Sequence, residues 1–102
     1  MDEIFNSMGI ETAKRIKLLI ELSYLKKIEG NRSEFARKIN IKTSDPDFNK
    51  IFNYLITKKI IVKVEGSLSA WDKYHIDVKK LCNLIESIPL VKKIREYISY
   101  PH

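Results

Sequence analysis

Between Pro46 and Lys59, five polar side chains fall on the side of a helix opposite an apolar stripe. Asn49, Lys50, Asn53, Tyr54 and Thr57 face one way; Phe48, Ile51, Phe52, Leu55 and Ile56 face the other. Carboxamides, an ammonium and a hydroxyl on a non-acidic face are groups that read base edges in a duplex major groove. Asn pairs with adenine edges, and Lys with guanine or phosphate. Arg32, Arg37, Lys42, Thr43, Ser44, Lys58, Lys63 and Lys73 lie around them in sequence and suit phosphate oxygens. The N-terminal amides of this helix and of the one before it would add to that phosphate path. Asp45 and Asp47 sit beside it, where their plain role is to stabilise a helix dipole. Any amphipathic helix has a polar face, so the reading needs support from charge and context.

The charge supplies some. The chain has 102 residues and a net charge of +6, with 19 Lys and Arg against 13 Asp and Glu. Residues 1–29 hold five bases and five acids. Residues 30–64 hold eight bases against three acids, net +5; residues 65–77 are net −2 and residues 78–102 net +3. The excess is concentrated on the segment that carries the polar helix, as expected of a polyanion-binding surface.

Other chemistries lack their residues. No Gly-rich phosphate loop, no G-x-S-x-G, no metal-spaced Cys/His cluster and no paired carboxylates at a predicted strand end occur, so no enzyme activity, cofactor, metal or small-molecule ligand is expected. The single Cys82 has no partner for an internal disulfide and reads as a small buried hydrophobe. Met1-Asp2-Glu3-Ile4 carries acid where a signal peptide needs base, and no run is apolar enough to span a bilayer, which gives a cytoplasmic expectation. Lys79, Lys80, Lys92, Lys93 and Arg95 accompany an apolar C-terminal stripe, which suits core or a dimer seam better than a membrane surface.

The elements that must position these residues follow from periodicity. Ile4, Phe5 and Met8 suggest a short docking lead. Glu11 to Ile28 reads as a central helix with Ile16, Leu19, Ile20, Leu22, Leu25 and Ile28 apolar, widened by Leu18 and Tyr24 and capped by Gly30. Ser33 starts a short helix burying Phe35, Ala36 and Ile39, which Asn40 ends. Ser44 or Asp45, followed by Pro46, starts the third helix. Ile60–Val64 is strand-like, Glu65-Gly66-Ser67 a turn, and Asp72–Ile76 an antiparallel return with Tyr74 and Ile76 inward and His75 outward. Trp71 reads as a cover for the core. Asp77 caps a last helix that Pro89 kinks or divides, with Tyr97, Ile98 and Tyr100 near its end; His102 receives no role.

The order helix, short helix, helix, hairpin, helix resembles the winged helix-turn-helix family of DNA-binding domains. Ser33-Glu34-Phe35-Ala36-Arg37-Lys38-Ile39-Asn40-Ile41 is similar to that family's polar cap and first motif helix. Leu55-Ile56-Thr57-Lys58-Lys59-Ile60-Ile61 is similar to the end of its recognition helix, and Glu65-Gly66 to the opening of its wing. The likeness covers Arg32 to Gly66, or to Ile76 with the hairpin. Two departures stand out: the stretch from Ile41 to Phe48 is about two residues longer than the family's turn, and Lys59 replaces a customary Gly, which predicts a different helix-to-strand corner. The wing carries only Ser67, Ser69 and Lys73 where such wings usually bring Arg.

The expectation is therefore one mainly α domain over residues 1–102 with a small β-hairpin, a winged helix-turn-helix of order α-α-α-β-β-α. Its helix-turn-helix spans about 33–59, its wing about 60–76 and its extended C-terminal helix about 78–99. The resemblance implies a sequence-specific double-stranded DNA-binding protein, a small transcriptional regulator acting as a homodimer. Ile85, Ile88, Val91, Ile94 and Ile98, with Leu22 or Phe5, are the candidate seam, unless they cap the core within one chain. The alternatives are a winged-helix protein-interaction module of a transcription or replication complex, and a plasmid replication or partition protein that binds DNA.

Overall fold

A computed structural model describes residues 10–26, 28–64 and 72–99. The expected lead (Ile4, Phe5, Met8), the turn at Glu65-Gly66-Ser67, Ser69, Trp71, Tyr100 and His102 lie outside them, as do the side chains of Tyr97 and Ile98. The chain runs α1 (Ile10–Ser23), β1 (Glu29–Gly30), α2 (Arg32–Lys38), α3 (Pro46–Thr57), β2 (Ile61–Lys63), β3 (Tyr74–Ile76), α4 (Val78–Ser87) and α5 (Pro89–Ser99). It is mainly helical with a small antiparallel sheet of order β1-β3-β2. Among the described residues, no helix is long and apolar enough to cross a membrane.

The first helix is shorter than its apolar spacing predicts. α1 ends at Ser23, whose hydroxyl donates to the Ile20 carbonyl at 2.6 Å, and Tyr24 beyond it is 81% exposed. Ile28 and Gly30 lie along β3 instead: the Ile76 amide donates to the Ile28 carbonyl at 2.9 Å, and Gly30 pairs with Tyr74. Gly30 is thus a strand residue and not a helix cap. Strand pairing with a segment more than forty residues away overrides a local helical pattern.

Helix boundaries follow local chemistry. Asn31, not Ser33, caps α2: its side chain accepts from the Glu34 amide at 2.8 Å while the Glu34 carboxylate accepts from the Asn31 amide at 3.2 Å, a reciprocal capping box. Asp45 caps α3 through the Phe48 amide at 3.0 Å, with Pro46 at the first turn. Asp77 caps α4 through the Lys80 amide at 3.1 Å. Pro89 divides the C-terminal helix, because Ile88 takes an extended conformation and α5 starts afresh on the proline.

α2 and α3 end alike. Asn40 (φ 57°) and Lys59 (φ 62°) both take the left-handed conformation. The Ile41 amide donates to the Ala36 carbonyl and the Ile60 amide to the Leu55 carbonyl, each at 2.9 Å, which closes a Schellman turn at both ends. The corner after α3 is therefore the one glycine would make; Lys59 adopts it against its own preference.

One core joins the elements. Leu19 and Leu22 of α1, Phe48, Ile51, Phe52 and Leu55 of α3, Ile61 of β2, Ile76 of β3 and Leu81 of α4 are fully buried. Phe52 sits at its centre, with ring centroids 5.6 Å from Phe48, 6.1 Å from Phe35 and 5.2 Å from Tyr74, the last edge-on. Ile56 is packed at the rim. Ile85, Ile88, Val91 and Leu22 are also buried, so these candidate seam residues belong to the core of a single chain. Cys82 is exposed, one position off the Leu81–Ile85–Ile88 stripe of α4, and not the buried hydrophobe the sequence suggests.

Candidate nucleic-acid interface

The buried stripe of α3 seats that helix on the core and turns Lys50, Asn53 and Thr57 outward in one row at i, i+3 and i+7. All three are exposed. At 1.5 Å per residue the row is about 10 Å long, close to three base-pair steps of 3.4 Å. Lys50 has no partner among the described residues. The Thr57 hydroxyl donates back to the Asn53 carbonyl at 3.0 Å, so its lone pairs remain toward solvent. Tyr54 is half-buried, and the Lys58 ammonium lies over its ring, 5.7 Å from the centroid.

Asn49 does different work. Its amide nitrogen donates to the carbonyls of Thr43 (2.7 Å) and Asp45 (3.0 Å), and its oxygen accepts from Arg32 at 2.7 Å. Every polar atom of this side chain is engaged in fixing the turn before α3, unlike those of the outward row. Arg32 also departs from a simple phosphate contact. From the first turn of α2 its Nη2 donates to the Asn53 side-chain oxygen at 2.9 Å, and its guanidinium lies 4.5 Å from the centroid of the Phe52 ring. One arginine thus bridges α2 to two asparagines of α3.

The two acids at the start of α3 are drawn backward. Lys14 of α1 approaches Asp45 at 2.9 Å and Asp47 at 3.2 Å, and Arg15 Nε donates to Asp47 at 2.9 Å. The Lys14 hydrogen bond holds the Asp45 carboxyl below the usual carboxylate range, with help from the Phe48 amide. The Arg15 hydrogen bond does the same for Asp47. Lys14 is raised in turn, first by Asp45 and then by Asp47. The reading from sequence missed both bases, although Arg15 falls on the Leu18–Leu19–Leu22 stripe, where a buried arginine requires a carboxylate.

The phosphate candidates separate. Arg37, Lys42 and Lys73 are exposed and without a partner among the described residues; Thr43 and Ser44 are exposed in the turn that Asn49 fixes. Lys58 is exposed as well, whereas Lys63 meets Asp72 at 3.2 Å. The helix N-termini are not open anion sites: Asp45 already occupies the start of α3, where Pro46 offers no amide hydrogen, and Asn31 occupies that of α2. His75, half-buried on β3, alternates with Tyr74 and Ile76 and so lies on the opposite face of the sheet.

Away from α3, Ile20, Tyr24, Cys82, Val91 and Arg95 line a shallow groove of about 190 Å³ between the end of α1 and the α4–α5 junction. Beside it α5 exposes Leu90 (41%) and Ile94 (50%). No family model, curated protein or solved structure matches the chain.

Proposed function

We propose that this chain is a double-stranded DNA-binding protein of the winged helix-turn-helix type, a small transcriptional regulator that acts as a homodimer. α3 enters the major groove. Arg37, Lys42 and Lys58 meet phosphates beside it, and β2–β3 form the base of the wing. The element order α1-β1-α2-α3-β2-β3 and the sheet order β1-β3-β2 support this reading. The observation that carries it is electrostatic. Lys14 and Arg15 neutralise Asp45 and Asp47 from behind, so the exposed row of α3 and the turns beside it present bases and hydrogen-bonding groups without a competing carboxylate. In the homodimer, Leu90 and Ile94 of α5 meet a second copy and set two α3 helices about one DNA turn apart.

Titration of labelled duplex DNA at salt concentrations from about 50 to 200 mM tests this. Affinity should fall steeply as salt rises; absence of binding at the low end, or indifference to salt, would remove the DNA reading. A second reading, a winged-helix protein-interaction module, is favoured by one observation: exposed apolar groups, Tyr24 in the groove and Leu90 and Ile94 on α5. It predicts no salt-dependent duplex binding and a monomer in isolation.

A further inference from the structure

We propose that Arg32 makes the Lys50–Asn53 part of the exposed α3 row a surface of hydrogen-bond donors that selects guanine and rejects adenine. This rests on the DNA-binding reading above and deepens it to base preference.

Arginine has five N–H donors and no acceptor, so the atom of any carboxamide turned toward it is the oxygen. Arg32 donates to Asn49 Oδ1 at 2.7 Å and to Asn53 Oδ1 at 2.9 Å. The orientation of Asn49 is checked independently, since its nitrogen donates to the Thr43 and Asp45 carbonyls. The Arg32 guanidinium also lies over the buried Phe52 ring, 4.5 Å from its centroid, a contact that helps to hold it in place. For Asn53 the consequence is specific. An asparagine reads adenine with both ends of its amide, the oxygen accepting from N6 and the nitrogen donating to N7. In Asn53 the oxygen faces Arg32, so the group offered outward is Nδ2 with its donors.

Lys50, one turn earlier in the row, is donor-only as well, and the unbonded N–H groups of Arg32 add to the same front. A purine edge facing this surface is favoured when it carries acceptors alone. Guanine does, with N7 and O6; adenine places its N6 amino donor against donors. Arg32 is thus a positioning and specificity-determining residue, beyond its charge toward phosphate.

Selection from a duplex pool with a random core, with the wild-type chain and Arg32→Met, tests the inference. Methionine keeps an unbranched apolar cover on Phe52 but frees the Asn53 oxygen. The wild type should enrich guanine at a position where Arg32→Met enriches adenine. In case Arg32→Met does not fold, a wild-type measurement stands beside it. Replacing the selected guanine by adenine, or by 7-deazaguanine, which lacks the N7 acceptor, should weaken binding roughly tenfold. Adenine enriched by the wild type, the same guanine returned by Arg32→Met, or indifference to 7-deazaguanine would overturn the proposal. Salt-dependent binding that enriches no core would overturn it while leaving DNA binding in place. Absence of salt-dependent binding to any duplex would overturn both.

Discussion

Arg15 Nε of α1 and Asp47 Oδ1 of α3 meet at 2.9 Å, across thirty-two positions of sequence. Arg15 is only 8% exposed and lies on the apolar stripe of its helix, so its charge needs a partner; Asp47 provides one from the first turn of α3. The pair ties α1 to the start of α3 and turns an acid away from the face that carries Lys50, Asn53 and Thr57. Fold and proposed interface therefore depend on the same contact.

Asp47→Ala should destabilise the chain by about 1–3 kcal/mol, because it leaves Arg15 buried without this carboxylate. Arg15→Met, which fills the same space with an apolar chain, should cost less. Chemical denaturation of both variants checks this; a loss that is larger for Arg15→Met would mean that the arginine contributes mainly through contacts other than Asp47.

The same cluster fixes a pH response. Asp45 and Asp47 have folded pKa values lowered below those of the unfolded chain, chiefly by Lys14 and Arg15. Their contribution is therefore present above the usual carboxylate value of about 4 and is lost as pH falls through the lowered folded values. Lys14 is raised, so its contribution is present below its usual value and is lost as pH rises through the raised one. Thermal melting should show an acid limb that Asp45→Asn/Asp47→Asn flattens, since asparagine retains the cap on α3 but does not titrate. An acid limb unchanged in that variant would place its origin elsewhere.

Lys59→Gly should stabilise the chain by roughly 0.5–1 kcal/mol. The left-handed conformation costs a side-chain-bearing residue about 1–2 kcal/mol, which exceeds what glycine loses in unfolded-chain entropy. Asn40→Gly should gain less, because asparagine tolerates the conformation through local hydrogen bonding. Denaturation midpoints that fall for Lys59→Gly would show that the lysine stem makes contacts worth more than the strain.

What was legible in the sequence was local. Asp45 with Pro46, Asp77 at the start of α4, and Pro89 as a divider are chemical signals contained within a few residues, and each has its expected place. Asn31 with Glu34 carried the capping-box spacing just as openly, yet Ser33 was the expected cap. β1 was not legible, because a two-residue strand is defined only by its pairing with β3. On the polar face of α3, helical phase picks out Asn49, Lys50, Asn53, Tyr54 and Thr57, of which Lys50, Asn53 and Thr57 are exposed. That Asn49 is engaged in the turn and that Arg32 crosses to Asn53 depends on packing between helices, which no spacing along the chain encodes.

Lys50 and Asn49 should therefore separate stability from binding. Lys50→Ala touches an exposed residue with no partner among the described residues and should change stability by less than about 0.5 kcal/mol. It should weaken duplex binding, and it should lower the salt slope by about one if the ammonium sits on a phosphate. Asn49→Ala removes the bonds to Thr43, Asp45 and Arg32 and should cost about 1–3 kcal/mol of stability. Parallel melting and anisotropy titrations decide it: equal loss of stability in both variants would contradict the division of labour assigned to them.

The face of α5 makes the last prediction. Val91 points into the core whereas Leu90 and Ile94 stand in solvent, so a charge at Ile94 should leave the fold intact. If α5 is the seam between two copies, Ile94→Glu should convert a dimer to a monomer in sedimentation at micromolar concentration, with little change in melting measured on the dissociated chain. Binding to a two-half-site duplex should then fall far more than binding to a single half-site, because only the dimer engages both α3 helices on one DNA molecule. A wild-type chain that sediments as a monomer at that concentration would defeat the twofold arrangement and leave Leu90 and Ile94 to a different protein.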